Sequence, residues 1–139
     1  MSLSIRNQLP GTVTAVTPGE AMATVKVDLS NGQHLTSAIT LDAAEDLGLA
    51  AGSSVRALVK STEVSLATAP VDHVSIRNQL PGKITEISTG GAMASVKIAF
   101  GGGELTSAIT KESATDLGLS VGSPVIALIK STEVSLETA

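Results

Sequence analysis

The octapeptide Ser4-Ile5-Arg6-Asn7-Gln8-Leu9-Pro10-Gly11 returns unchanged as Ser75 to Gly82. Outward from it the two halves stay in step: Leu35-Thr36-Ser37-Ala38-Ile39-Thr40 reappears as Leu105 to Thr110, and Lys60-Ser61-Thr62-Glu63-Val64-Ser65-Leu66 as Lys130 to Leu136. The offset is 71 residues at the octapeptide and 70 after Gly32 and Gly103, so one residue was gained or lost where a turn absorbs it. The chain is a tandem duplication, and the fold is one short problem solved twice. The repeat predicts a first domain over 1–69, a joint at Pro70-Val71-Asp72-His73, and a second domain over 74–139.

Within a repeat the pattern is one of short strands. From Leu3 it alternates, and Val13 and Val16 sit among threonines until Pro18-Gly19 marks a turn. Ala21 to Leu29 places Ala21, Ala23, Val25, Val27 and Leu29 on one face and Met22, Thr24, Lys26 and Asp28 on the other, which predicts a half-buried strand. Ser30-Asn31-Gly32 and Gly101-Gly102-Gly103 read as hairpin turns, followed by a strand through Thr40 or Thr110. Leu41 to Leu49 is the one helical stretch, with Leu41, Ala44 and Leu47 on one side, Thr40 as N-cap and Gly48 as stop. Ser54 to Lys60 alternates again, and Glu63 to Leu66 closes the unit. The expected fold class is all-β: two tandem OB-like small β-barrels, each with one short helix.

Composition narrows the function. With 42% hydrophobic residues, one Phe and no Trp or Tyr, the core is aliphatic, and the mean hydropathy of +0.33 comes without an apolar run long enough for a membrane span. Units this small bury little surface alone, so spare apolar surface is expected between the halves or between chains. No cysteine means no disulfide, thiolate nucleophile or zinc-thiolate site. No basic, apolar leader is recognisable, and a cytoplasmic location is expected. A net charge of −4 and the lack of stacking aromatics speak against a nucleic-acid partner.

Against this acidic background three cation positions recur, Arg6/Arg77, Lys26/Lys97 and Lys60/Lys130. Lys26 lies on a polar strand face and reads as a solvated charge. Arg6 and Lys60 each have a hydroxyl beside them, Ser4 and Ser61, and Thr40 adds another. These are donors without acceptors, the complement of a tetrahedral oxyanion. Charge-assisted hydrogen bonds contribute roughly 1.5–3 kcal/mol each, so three or four offset the costs of ordering and desolvation. A structural role for the same residues is the competing interpretation.

Ser-Ile-Arg-Asn-Gln-Leu-x-Gly, Leu-Thr-Ser-Ala-Ile-Thr and Lys-Ser-Thr-Glu-Val, in this order and twice over, resemble the motifs of the molbindins, proteins built of Mop domains that bind molybdate or tungstate. The family usually has Ala where this chain has Ile5 and Ile76. The resemblance covers both halves, with no DNA-binding or ATPase segment in the sequence. It implies that Ser4, Arg6, Thr40, Lys60 and Ser61 contact the anion in the first half, with Asn7 holding or flanking the same strand. The matching residues of the second half are Ser75, Arg77, Asn78, Thr110, Lys130 and Ser131. The pattern has a donor three residues after the threonine; Ser113 supplies a hydroxyl there, whereas Ala43 offers only its backbone N–H. It further implies six Mop domains per assembly, hence a homotrimer with anion sites between chains, no cofactor beyond the bound oxyanion, no direct metal ligand, and a role in intracellular molybdenum storage or homeostasis. Met22 and Met93, on a strand face where related sequences tend to be polar, are expected to fill gaps at a subunit contact.

Other residues invite chemistry they do not support. His34 and His73 do not repeat and lack metal or catalytic partners. Asp46/Asp116 and Glu63/Glu133 do repeat, and pairing with cations is the expected account. The triple glycine has neither the following helix nor the Lys of a phosphate loop. No nucleophile–base constellation exists, so the protein is not expected to be an enzyme. The alternative function, an OB-like interaction module for a nucleic acid or protein partner, would require aromatics on a barrel face.

Overall fold

A computed structural model of the chain describes residues 3–30, 32–101 and 103–138. The turn residues Asn31 and Gly102 and the domain limits Met1 and Ala139 fall outside these. The first repeat folds as β1 (Asn7–Pro18), β2 (Met22–Leu29), β3 (His34–Thr40), α1 (Leu41–Asp46), β4 (Ser54–Val59) and β5 (Ser65–Ala67). The second gives β6 (Asn78–Thr89), β7 (Met93–Phe100), β8 (Gly103–Thr110), α2 (Lys111–Asp116), β9 (Pro124–Ile129) and β10 (Ser135–Thr138). A single 3-10 turn, Ser61–Glu63 or Ser131–Glu133, precedes the last strand of each repeat.

The strands form two curled five-stranded sheets of the OB-like kind expected. Their make-up corrects one expectation. The last strand does not close its own unit: the orders are β10-β4-β1-β2-β3 and β5-β9-β6-β7-β8, so each repeat lends its tail to the other. The exchange extends to side chains, since Ser37 Oγ donates to Val134 O and Ser107 Oγ to Val64 O, both at 2.6 Å. Val64 and Val134, each 1% exposed, enter a hydrophobic core that runs through both repeats without a break. Tail exchange is therefore how two units with small aliphatic cores bury more surface than either holds alone.

Three strand details follow from the chemistry of the chain. β2 buries Ala23, Val25, Val27 and Leu29 as alternation requires, while Ala21 is exposed ahead of the strand. β1 is longer than the pattern suggested. It runs through Pro10 and Gly11, and a bulge between Val13 and Ala15 bends it. Pro10 is tolerated because it is paired only on the β4 side, opposite Arg56; pairing with β2 begins at Gly11. At Gly11 the backbones come so close that a Cβ would lie 2.6 Å from Val27 Cγ1 and 2.7 Å from Asp28 O, and Gly82 repeats this against Ile98 and Ala99. The helix is shorter than expected: Thr40 caps it, accepting a hydrogen bond from Ala43 N, but it ends at Asp46 and buries Ala44 while Leu47 is exposed.

Candidate functional site

The octapeptide delivers its cations to the seam between β1 and β4. The antiparallel register puts Asn7 opposite Val59, so the next step outward sets Arg6 beside Lys60. Residues 3–6 lie ahead of the strand rather than on it. At Lys60 the paired strand β4 turns into the 3-10 turn, and the backbone before Asn7 has no ladder to join. Ser4, Arg6, Lys60 and Ser61 are thereby gathered around one cavity of about 240 Å³, together with Ile5 and Thr62. Arg6 and Lys60 are exposed, and neither they nor Arg77 and Lys130 form an ion pair among the described residues. Ser61 Oγ is buried and has no hydrogen-bond partner among those residues; Ser131 Oγ repeats this. A shielded, unsatisfied hydroxyl costs stability unless something accepts from it or donates to it. Two free cations beside it define what fits: a small anion with several acceptor oxygens.

The second repeat has the same register, with Asn78 opposite Ile129 and Arg77 therefore beside Lys130. Ser75 and Arg77 are exposed as their counterparts are.

Thr40 and Thr110 occupy a different part of the fold, at the ends of β3 and β8. The lining of the Lys60 cavity contains neither Thr40 nor Ala43. Thr110 lines its own cavity of about 540 Å³ with Lys111, Glu112, Thr115 and Asp116. There Thr110 Oγ1 donates to Ser113 Oγ at 2.8 Å and accepts from Ser113 N at 3.1 Å. In the first repeat Ala43 leaves only the backbone bond.

Asn7 and Asn78 are committed elsewhere. Asn7 is 3% exposed; its Nδ2 donates to Thr106 O and its Oδ1 accepts from Thr106 N, both at 2.8 Å. Asn78 makes the same pair of bonds with Thr36. Each amide thus mimics a strand residue on the edge of the other repeat's sheet, tying the octapeptide to the neighbouring barrel. Alternation held the signal for this role, since Asn7 shares the inward face of Leu9. Thr62, which lines the cavity, was also missed, although Lys-Ser-Thr recurs as a unit.

The remaining expectations are resolved simply. Asp46 and Glu63 form no ion pair among the described residues, which overturns their assignment as partners of the cations. His34 contacts Asp28 on the surface, away from the cavity. Among the described residues no cluster of His, Cys, Asp or Glu could hold a metal ion, and no helix is long and apolar enough to cross a membrane.

The TOBE domain family matches the chain twice, at residues 3–66 and 74–136. The chain is 40% identical over 135 residues to the molybdenum-pterin-binding protein MopB of Rhodobacter capsulatus, covering 96% of this chain and 50% of that protein. It is 37% identical over 137 residues to the molybdenum transport protein ModE of Azotobacter vinelandii, covering 98% and 51%. The chain spans about half the length of these curated relatives. Among solved structures it is similar to the cytoplasmic molybdate-binding protein ModG with molybdate bound, at 40% identity and a TM-score of 0.96 over 100% of both chains.

Proposed function

The chain belongs to the TOBE domain family, carrying the domain in two tandem copies, and on that footing we propose that it is a non-enzymatic binder of molybdate. Tungstate is accepted as well, because its size and charge are nearly the same. The observation that carries this reading is the cavity where unpaired Arg6 and Lys60 stand beside the buried, unpartnered Ser61 hydroxyl. The molybdate-bound structural relative supports the choice of anion.

Thr40 and Thr110, with Ala43 and Ser113 behind them, complete the sites when chains associate as a homotrimer. The matched exposure of Leu3 and Val74, Met22 and Met93, and Leu47 and Leu117, each between 37% and 47%, supports association through repeated apolar surface. No cofactor is required beyond the anion, and the role is molybdenum storage or homeostasis in the cytoplasm. Discrimination against sulfate is graded, since it rests on a cavity fitted to a larger tetrahedron.

Equilibrium dialysis of the Arg6→Ala/Arg77→Ala variant tests the assignment. Loss of most molybdate binding with assembly size unchanged is expected; full retained affinity would sink the proposal.

A further inference from the structure

The contacts that lock one repeat to the other are almost all duplicated in kind. Asn7–Thr106 is matched by Asn78–Thr36, and Ser37–Val134 by Ser107–Val64. Residue types at these positions are the same in both repeats. Such contacts would therefore serve equally well between two first repeats of different chains, or two second repeats, as between the two repeats of one chain.

One pair breaks this indifference. In the exchanged seams Leu136 lies opposite Ala57 and Leu66 opposite Ala127, and one step further Glu137 faces Arg56 while Ala67 faces Ile126. Among the positions paired in both seams, only these differ in residue type. They differ together, one seam carrying opposite charges and the other two apolar side chains. Arg56 and Glu137 are in contact at 2.7 Å, the one ion pair between repeats among the described residues. Arg56 Nε and Glu137 Oε1 are both shielded from solvent.

Any assignment in the same register that gives a barrel its own repeat's tail, or the like tail of another chain, mismatches both seams. A first-repeat tail on β4 would set Ala67 against Arg56, and a second-repeat tail on β9 would set Glu137 against Ile126. Each leaves a partly buried charge without its partner, a cost larger than the modest gain from an ion pair at half-exposed positions. We propose that Arg56–Glu137 and Ile126–Ala67 form a pairing code that makes each barrel accept only the other repeat's tail. The code disfavours barrels filled by their own tail or by the like tail of a second chain, and so removes like-tail exchange as a route to linking chains. It acts on assembly and does not depend on the bound anion.

The test transposes residues at constant composition and charge. Ala67→Glu/Glu137→Ala moves the acidic residue to the wrong tail; adding Arg56→Ile/Ile126→Arg moves the barrel residues with it and restores complementarity. Both variants and the parent are unfolded in denaturant and refolded at several chain concentrations, with size read by light scattering. The tail-only variant is expected to show a lower denaturation midpoint and a severalfold loss of parent-sized species to larger, concentration-dependent ones. The fourfold variant is expected to return to the parent's midpoint and size. A tail-only variant that refolds like the parent overturns the proposal. So does a fourfold variant no better than the tail-only one, including the case in which the tail-only variant does not fold at all.

Discussion

At the residue scale, the octapeptide combines two tasks that its sequence presents as one. Arg6 and Ser4 face the cavity, while Asn7 and Gly11 serve the fold. Asn7→Ala leaves two part-buried backbone groups of Thr106 without their partner, at a cost of up to about 1–3 kcal/mol for each unsatisfied group. Thermal unfolding should register a clear loss of stability in this variant. Gly11→Ala forces a Cβ against Val27 and the Asp28 carbonyl, and overpacking of this kind costs about 1–3 kcal/mol, more where backbone must yield. A denaturant titration is expected to place that variant well below the parent. Arg6→Ala, in contrast, removes an exposed side chain with no ion-pair partner among the described residues. It should leave stability almost unchanged and weaken molybdate binding at its site by roughly 10–100-fold, the equivalent of one charge-assisted contact. Calorimetry on the single variants separates the two classes. The grouping of Ser4, Arg6, Lys60 and Ser61 was legible in the repeated motifs, and the structure gathers them around one cavity. Alternation placed Asn7 on the inward face, but its partner was not legible, because Thr106 is 99 residues away and no local spacing reveals such a pair.

At the scale of elements, period-two patterning identified β2, β3 and β4 nearly to the residue, because a half-buried strand writes its burial into alternation. Helix ends were less legible. Thr40 was correctly read as the cap, but Leu47 is exposed, so the apolar spacing overstated the length. The strand boundary before Asn7 depends on where β4 stops offering partners, which is a property of the pair and not of either segment. Thr40→Val removes the side-chain cap from a helix of 6 residues, a change worth about 1 kcal/mol. Local hydrogen exchange at Ala43 is expected to rise while β1 and β4 keep their protection.

At the scale of the whole molecule, the exchanged tails are what sequence reading missed, and the reason is physical. Two barrels with the same local periodicity give no sign of which tail closes which, because the matches that tell the cases apart, Glu137 with Arg56 and Ala67 with Ile126, lie in residue type and not in period. Truncation after Glu133 provides a directional check. It removes Val134 and β10, which cover the first barrel rather than the second. Hydrogen exchange should accelerate first in β3 and β4, where Ser37 and Leu58 lose their partners, with β8 and β9 protected longer. The same architecture packs the 3-10 turn that carries Ser61 beside β8 of the second repeat.

The central claim is that this donor-rich cavity exists to hold a tetrahedral oxyanion, and calorimetric titration of the intact protein with molybdate, in buffer with and without sulfate, tests it most directly. The account predicts saturable heat in both buffers, weakened but not abolished by sulfate, with a stoichiometry that requires sites in both repeats. No heat in either buffer would contradict it and leave Arg6, Lys60 and Ser61 as parts of the barrel alone.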